Sequence, residues 1–129
     1  MSMVVEFGVE LDELYRRVVE GRRVVIEYAG ALGREYGARL GDAGLPESSG
    51  WVVVSTPGPI PLIIYSGPSR EAYRELLRRA LEFLRLEYAV YTTLGERLGR
   101  LRGLGLRASV RYVNDLPAVV VIEYDSTNK

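Results

Sequence analysis

The chain has no histidine and no cysteine, and its only lysine is the terminal Lys129. Without histidine there is no imidazole acid or base near neutral pH and no Ser-His-Asp relay. Without cysteine there is no thiolate nucleophile, no disulfide, no iron–sulfur cluster and no zinc site of the usual nitrogen and sulfur ligands. The missing interior lysine removes Schiff-base chemistry and the phosphate-holding lysine of a P-loop. An excess of one charge sign is also lacking: 17 basic and 17 acidic residues cancel, so nothing draws the whole chain toward nucleic acid or an anionic membrane. Apolar runs such as Val52 to Val54 and Leu62 to Ile64 are far too short to span a bilayer. The opening Met1-Ser2-Met3-Val4-Val5-Glu6 lacks the basic-then-apolar order of a signal peptide. These absences lean against an enzyme. They lead us to expect a cytoplasmic protein with no cofactor, no metal and no membrane segment.

What is present describes a globular protein. With 129 residues, 47% of them hydrophobic and 26% charged, one α+β domain over 1–129 can build a core without staples. Residues 125–129 read as a frayed tail. The basic residues other than Lys129 are all arginine, which together with abundant glutamate, valine and leucine suggests a thermostable protein.

Local patterns set an expected order of elements. Residues 3–9 read as a first strand. Glu10 to Glu20 follows with Leu11, Leu14, Tyr15, Val18 and Val19 at helical spacing, and Gly21 is placed to end that helix. Arg22 to Ala29 reads as a strand, with Val24, Ile26 and Tyr28 on one face. Glu35 to Gly41 is read as a returning strand, with a short helix as the other option, and Gly41 to Gly50 as a loop. Trp51 to Thr56 and Ile60 to Ser66 are strands joined by Pro57-Gly58-Pro59. A helix starts after Ser69, a suitable N-cap, and runs from Arg70 at least to Tyr91 and at most to Leu101. A break near Thr92-Thr93 and Gly95 is allowed by their low helix propensity. Leu106 to Val113 and Ala118 to Tyr124 close the chain as a hairpin. The fold class expected is a single, mostly antiparallel sheet of about five to seven strands, with one short and one long helix packed on one face.

Four features are candidates for function. The first is Arg97, Arg100, Arg102, Arg107 and Arg111, with Tyr112 beside them. The stretch from Arg97 to Val113 holds five arginines and no acid. Arginine forks suit phosphate or carboxylate, and a tyrosine can stack on a base, so RNA or another polyanion is one expected partner. The competing expectation is that these arginines pair with nearby acids and cap the long helix. Second is the long helix, where Leu77, Ala80, Leu84, Tyr91, Leu94, Leu98 and Leu101 follow a seam of three- and four-residue spacings. A further set, Leu76, Leu81, Phe83, Tyr88 and Val90, makes the helix apolar on more than one side. A homodimer through Leu77, Leu84, Tyr91, Leu94 and Leu98 covers one side, the alternative being the core of a single chain.

Third are the carboxylates Glu35, Asp42 and Glu47, whose spacing matches no calcium loop and which read as solvated surface groups. The fourth is a set of hydroxyls (Ser55, Thr56, Ser66, Ser69, Thr92 and Thr93) with no histidine or interior lysine to activate them. Trp51 is expected to be a core or interface anchor. The function expected from the sequence is a small non-enzymatic protein-interaction module, homodimeric through the long helix, with an unidentified protein partner. The alternative is an RNA- or polyanion-binding protein using residues 97–111.

Overall fold

The structure, a computed structural model, describes residues 3–58 and 61–124. The expected strand start at Ile60, the turn residue Pro59 and the tail 125–129 lie outside the described residues. The element order is β1 (Met3–Glu10), α1 (Leu11–Leu40), β2 (Trp51–Val54), β3 (Leu62–Tyr65), α2 (Arg70–Gly99), β4 (Arg107–Val113) and β5 (Leu116–Glu123). The fold is α+β, with two helices of 30 residues each. The strands form a three-stranded antiparallel sheet, ordered β1-β4-β5, and a separate two-stranded hairpin, β2-β3.

Two expectations are corrected and one open alternative is decided. There are two sheets in place of one. The first helix is long rather than short, and it absorbs the strands expected at Arg22 to Ala29 and Glu35 to Gly41. The second helix runs unbroken through Thr92, Thr93 and Gly95. Tertiary packing explains the first helix. Its buried positions Leu11, Leu14, Val18 and Val25, with the half-buried Gly21, Ala29, Leu32, Tyr36 and Leu40, keep one stripe of three- and four-residue steps over its full length. Burial along such a stripe outweighs the β propensity of Val24-Val25-Ile26, a preference that spans only about 1 kcal/mol per residue.

The chain divides into two compact units, Met1–Glu27 with Leu84–Lys129, and Tyr28–Phe83. In the first, which we call the sheet unit, β1 leads directly into α1, and the Leu11 amide donates to the Leu106 carbonyl at 2.9 Å. The core is Val9, Leu11, Leu14, Val18, Leu98, Ala108 and Val110. It lies between the helices and one face of the sheet. Strand alternation sends Ala108 and Val110 inward, with Val120 and Ile122 of β5 opposite them. The helices approach closely at Gly21. A Cβ built there would lie 2.6 Å from Cε1 and Cζ of Tyr91, so only glycine leaves room for that ring. Gly21 is therefore a contact residue in mid-helix and does not end the helix. The β4–β5 hairpin turns on Asn114 and Asp115, both at positive φ (50° and 65°), as a two-residue I′ turn requires.

In the second unit, here the hairpin unit, α1 ends at Leu40 and a tied-down loop leads to β2. The Arg70 and Glu71 amides donate to the carbonyls of Pro46 and Glu47 at 2.9 and 3.0 Å. Ser69, fully buried, caps α2 as expected: its Oγ accepts from the Ala72 amide at 3.0 Å. The Tyr36 and Tyr73 rings meet at 6.2 Å between centroids. β2 and β3 pair in simple antiparallel register, Trp51 opposite Tyr65 and Val54 opposite Leu62.

Candidate functional site

The arginine segment does not converge on one place. Arg97 and Arg100 are exposed at the C-terminal end of α2. Arg102 turns back over the Tyr15 ring, 4.4 Å from its centroid, and its Nε donates to the Gly99 carbonyl at 3.3 Å. Gly103 and Gly105 have positive φ and serve the turn from α2 into β4. The Gly103 amide donates to Asp12 Oδ1 at 3.1 Å, so an acid already faces this turn. Arg107 is paired in register with Glu10 on one side and Glu123 on the other, and its Nη1 donates to the Gly8 carbonyl at 2.8 Å.

Arg111 and Tyr112 point to opposite faces of β4. Tyr112 is partly buried against the core, and its hydroxyl accepts from Arg17 Nη1 at 3.3 Å. Arg17 also donates to Glu6 at 2.9 Å, and these two bonds hold its guanidinium firmly protonated. Arg111 lies on the outer face between Val5 and Val119. Its Nη2 donates only to Met3 Sδ among the described residues, at 3.0 Å.

The seam of α2 is occupied within the chain. Leu84 and Leu98 are buried, Tyr91 and Leu94 pack on the core, and Gly95 lies 3.8 Å from Val18 as measured from a built Cβ. Burial pushes the Tyr91 hydroxyl above its ordinary pKa, and Glu87 adds to the shift. Leu77, in the hairpin unit, is half-buried. α1 thus supplies the helix partner that the sequence pattern called for.

The three carboxylates, Glu35 in α1 and Asp42 and Glu47 in the loop after it, have separate occupations. Glu35 pairs with Arg39 at 3.6 Å. Asp42 Oδ1 accepts from the Gly44 amide at 2.9 Å. Glu47 pairs with Arg74 and lies 3.9 Å from Arg70. Among the described residues no three acids come together as a metal site would need. Ser49 Oγ donates to the Gly67 carbonyl at 2.7 Å and Ser48 Oγ to Glu71 at 2.6 Å, so these hydroxyls tie the loop to the start of α2. Among the described residues no helix is long and apolar enough to cross a membrane.

What sequence reading missed is the amount of apolar β surface left open. In the hairpin unit Trp51, Val52, Val53, Leu62 and Ile64 are each 49–55% exposed. Trp51 is therefore a surface residue, not a core anchor. Beside them lies an open groove of about 250 Å³, whose apolar wall includes Pro61, Ile63, Tyr65, Ala72 and Leu76. In the sheet unit the outer face exposes Met3, Val5, Val119 and Val121, and Phe7, in the bulge opposite Ser109, is 77% exposed. The signal was available: both faces of Trp-Val-Val-Val and Leu-Ile-Ile-Tyr are apolar, and helix packing on one face leaves the other open. No family model matches this sequence, and no curated protein and no solved structure matches the chain.

Proposed function

We propose that this chain is a non-enzymatic protein-interaction module that associates with a second copy of itself through the β2–β3 hairpin. The observation that carries this reading is the hairpin's composition and exposure. Its two strands hold eight residues and no charged side chain, and five of the eight are about half exposed. Strand alternation divides them between the two faces, Trp51 and Val53 on one and Val52, Leu62 and Ile64 on the other, so apolar side chains stand open on both sides of the hairpin. A two-stranded hairpin has two open edges and is marginal by itself, so pairing with another strand stabilises it. Two copies meet here without placing like charges against each other.

The alternative, a polyanion site at residues 97–111, is less favoured because Tyr112 is packed inward and Glu10, Asp12 and Glu123 flank the arginines. Light scattering of nucleic-acid-free protein at 0.1 M and 1 M salt separates the two readings. A dimer at both salts, converted to monomer by Val53→Asp or Ile64→Asp, is the expected result. A monomer at both salts overturns it. RNA binding that weakens steeply with salt would support the arginine reading instead.

A further inference from the structure

The outer face of the three-stranded sheet differs from the hairpin in one respect, a charge at its centre. Across the middle of the face runs the row Val5–Arg111–Val119, set by the registers of β1 and β5 on β4. Met3 and Val113 lie on one side of this row, and Ser109 and Val121 on the other. Arg107 at the far end of β4 has acids in both neighbouring strands, whereas Arg111 has valines. Its thioether contact is a weak acceptor for a guanidinium that carries five donors. Met3, Val5, Val119 and Val121 are 48–56% exposed around it.

These features restrict what can cover the face. A second copy packed sheet to sheet brings two Arg111 guanidiniums into one apolar layer about 10 Å thick, while Glu123, an acid of the same face, is held at its far end by Ser109 Oγ and by its register opposite Arg107. A polyanion satisfies the arginine but leaves the surrounding Met3, Val5, Phe7, Val119 and Val121 in water. A strand added to the edge of β1 or β5 leaves the face itself open. Three strands spaced about 4.8 Å apart span roughly 10 Å, which is the width of one helix with its side chains.

We infer that this face receives one amphipathic helix of a partner protein, whose apolar stripe covers the valines and carries a single carboxylate that pairs with Arg111. The opposite face already packs helices, so the sheet acquires a helical layer on each side. The carboxylate supplies bidentate acceptors for the arginine fork, and the stripe excludes water around the pair.

The test is selection of helical peptides about five turns long, with a fixed apolar stripe and randomised positions within it, displayed on phage against the full chain. Peptides enriched on the unaltered protein are expected to carry Asp or Glu at one mid-stripe position. Those enriched on Arg111→Glu protein are expected to carry Lys or Arg there. By fluorescence anisotropy, Arg111→Glu is expected to weaken the best acidic peptide by at least tenfold. Changing that peptide's acid to Lys is expected to restore binding to the variant, which also shows that the variant is folded. Val121→Asp is expected to abolish binding to both. The inference is overturned if no peptide is enriched, if the same peptides bind both proteins equally, or if Val121→Asp leaves binding intact. It is equally overturned if Val121→Asp converts a dimer to a monomer, because a second copy would then occupy the face.

Discussion

Gly21→Ala is expected to destabilise the protein, although alanine is the better helix former. In an exposed mid-helix position this exchange gains about 1 kcal/mol. At Gly21 the new methyl would lie 2.6 Å from Cε1 and Cζ of Tyr91, about 1 Å inside normal carbon–carbon contact. The obstacle is the body of a ring that packs on the core, not the free end of a flexible side chain, so the helices must separate locally. Overpacking of this kind costs about 1–3 kcal/mol, leaving a net loss of up to about 2 kcal/mol. Gly95→Ala is the internal control, in the same unit and on the facing helix. Its methyl would meet Val18 Cγ1 at 3.8 Å, an ordinary contact, so it is expected to stabilise by about 0.5–1 kcal/mol. Urea unfolding followed by circular dichroism measures both, with melting temperatures displaced by roughly 3–5 °C per kcal/mol. Tyr91→Leu in the Gly21→Ala background is expected to recover part of the loss. Tyr91→Phe is not, because the clashing ring atoms remain. If Gly21→Ala stabilises as much as Gly95→Ala, the helices do not meet in this register.

Two further expectations concern the buried polar groups. Ser69→Ala removes the fully buried cap whose Oγ accepts from the Ala72 amide and lies 3.3 Å from Ser49 Oγ. A loss of about 1–2 kcal/mol is expected in urea, read by the fluorescence of Trp51 in the same unit, and an unchanged midpoint would contradict the cap. Burial raises the Tyr91 pKa above its ordinary value near 10. A raised folded-state pKa means that this stability is fully present below about pH 10 and is lost as pH rises through the folded pKa. Thermal melts from pH 8 to 12 are therefore expected to fall less steeply above pH 10 for Tyr91→Phe than for the unaltered chain. Equal slopes would refute the burial of that hydroxyl.

Much of the strand and helix order was legible because local chemistry and tertiary packing agreed. Ser69 capped the long helix as its sequence signalled, and Trp51, Arg70 and the closing hairpin were placed to within a few residues. The first helix was misread because two local signals opposed a longer-range one. Gly21 resembled a helix stop, and Val24, Ile26 and Tyr28 alternated like a strand. Yet Glu20 and Glu27 flank Arg23 at helical spacing, and Glu35–Arg39 continues it, as the ion pairs confirm. A strand leaves those pairs without purpose. The seam of α2 was legible as a seam, and the stretch read as a helix from Glu10 to Glu20 supplies the residues that meet it, Tyr15 and Val18 among them; the continuation of that helix to Leu40 was not legible. The placement of Tyr112 was legible from strand alternation, which puts it on the face of Ala108 and Val110 and sets Arg107, Ser109 and Arg111 on the other.

The separation of β1 from β4 in sequence has a consequence for how the chain is made. β1 ends at Glu10, while its pairing strand β4 begins at Arg107. A ribosome adding about 5–20 residues per second needs roughly 5–20 s to reach the partner of β1. Throughout that interval Met3, Val4, Val5 and Phe7 have no strand to pair with. The hairpin unit, Tyr28–Phe83, is contiguous in sequence and complete 24 residues before β4 begins. The chain therefore emerges with its middle ready to fold and its first apolar strand still waiting, so the interval before β4 arrives is when capture by a chaperone or loss to aggregation is decided.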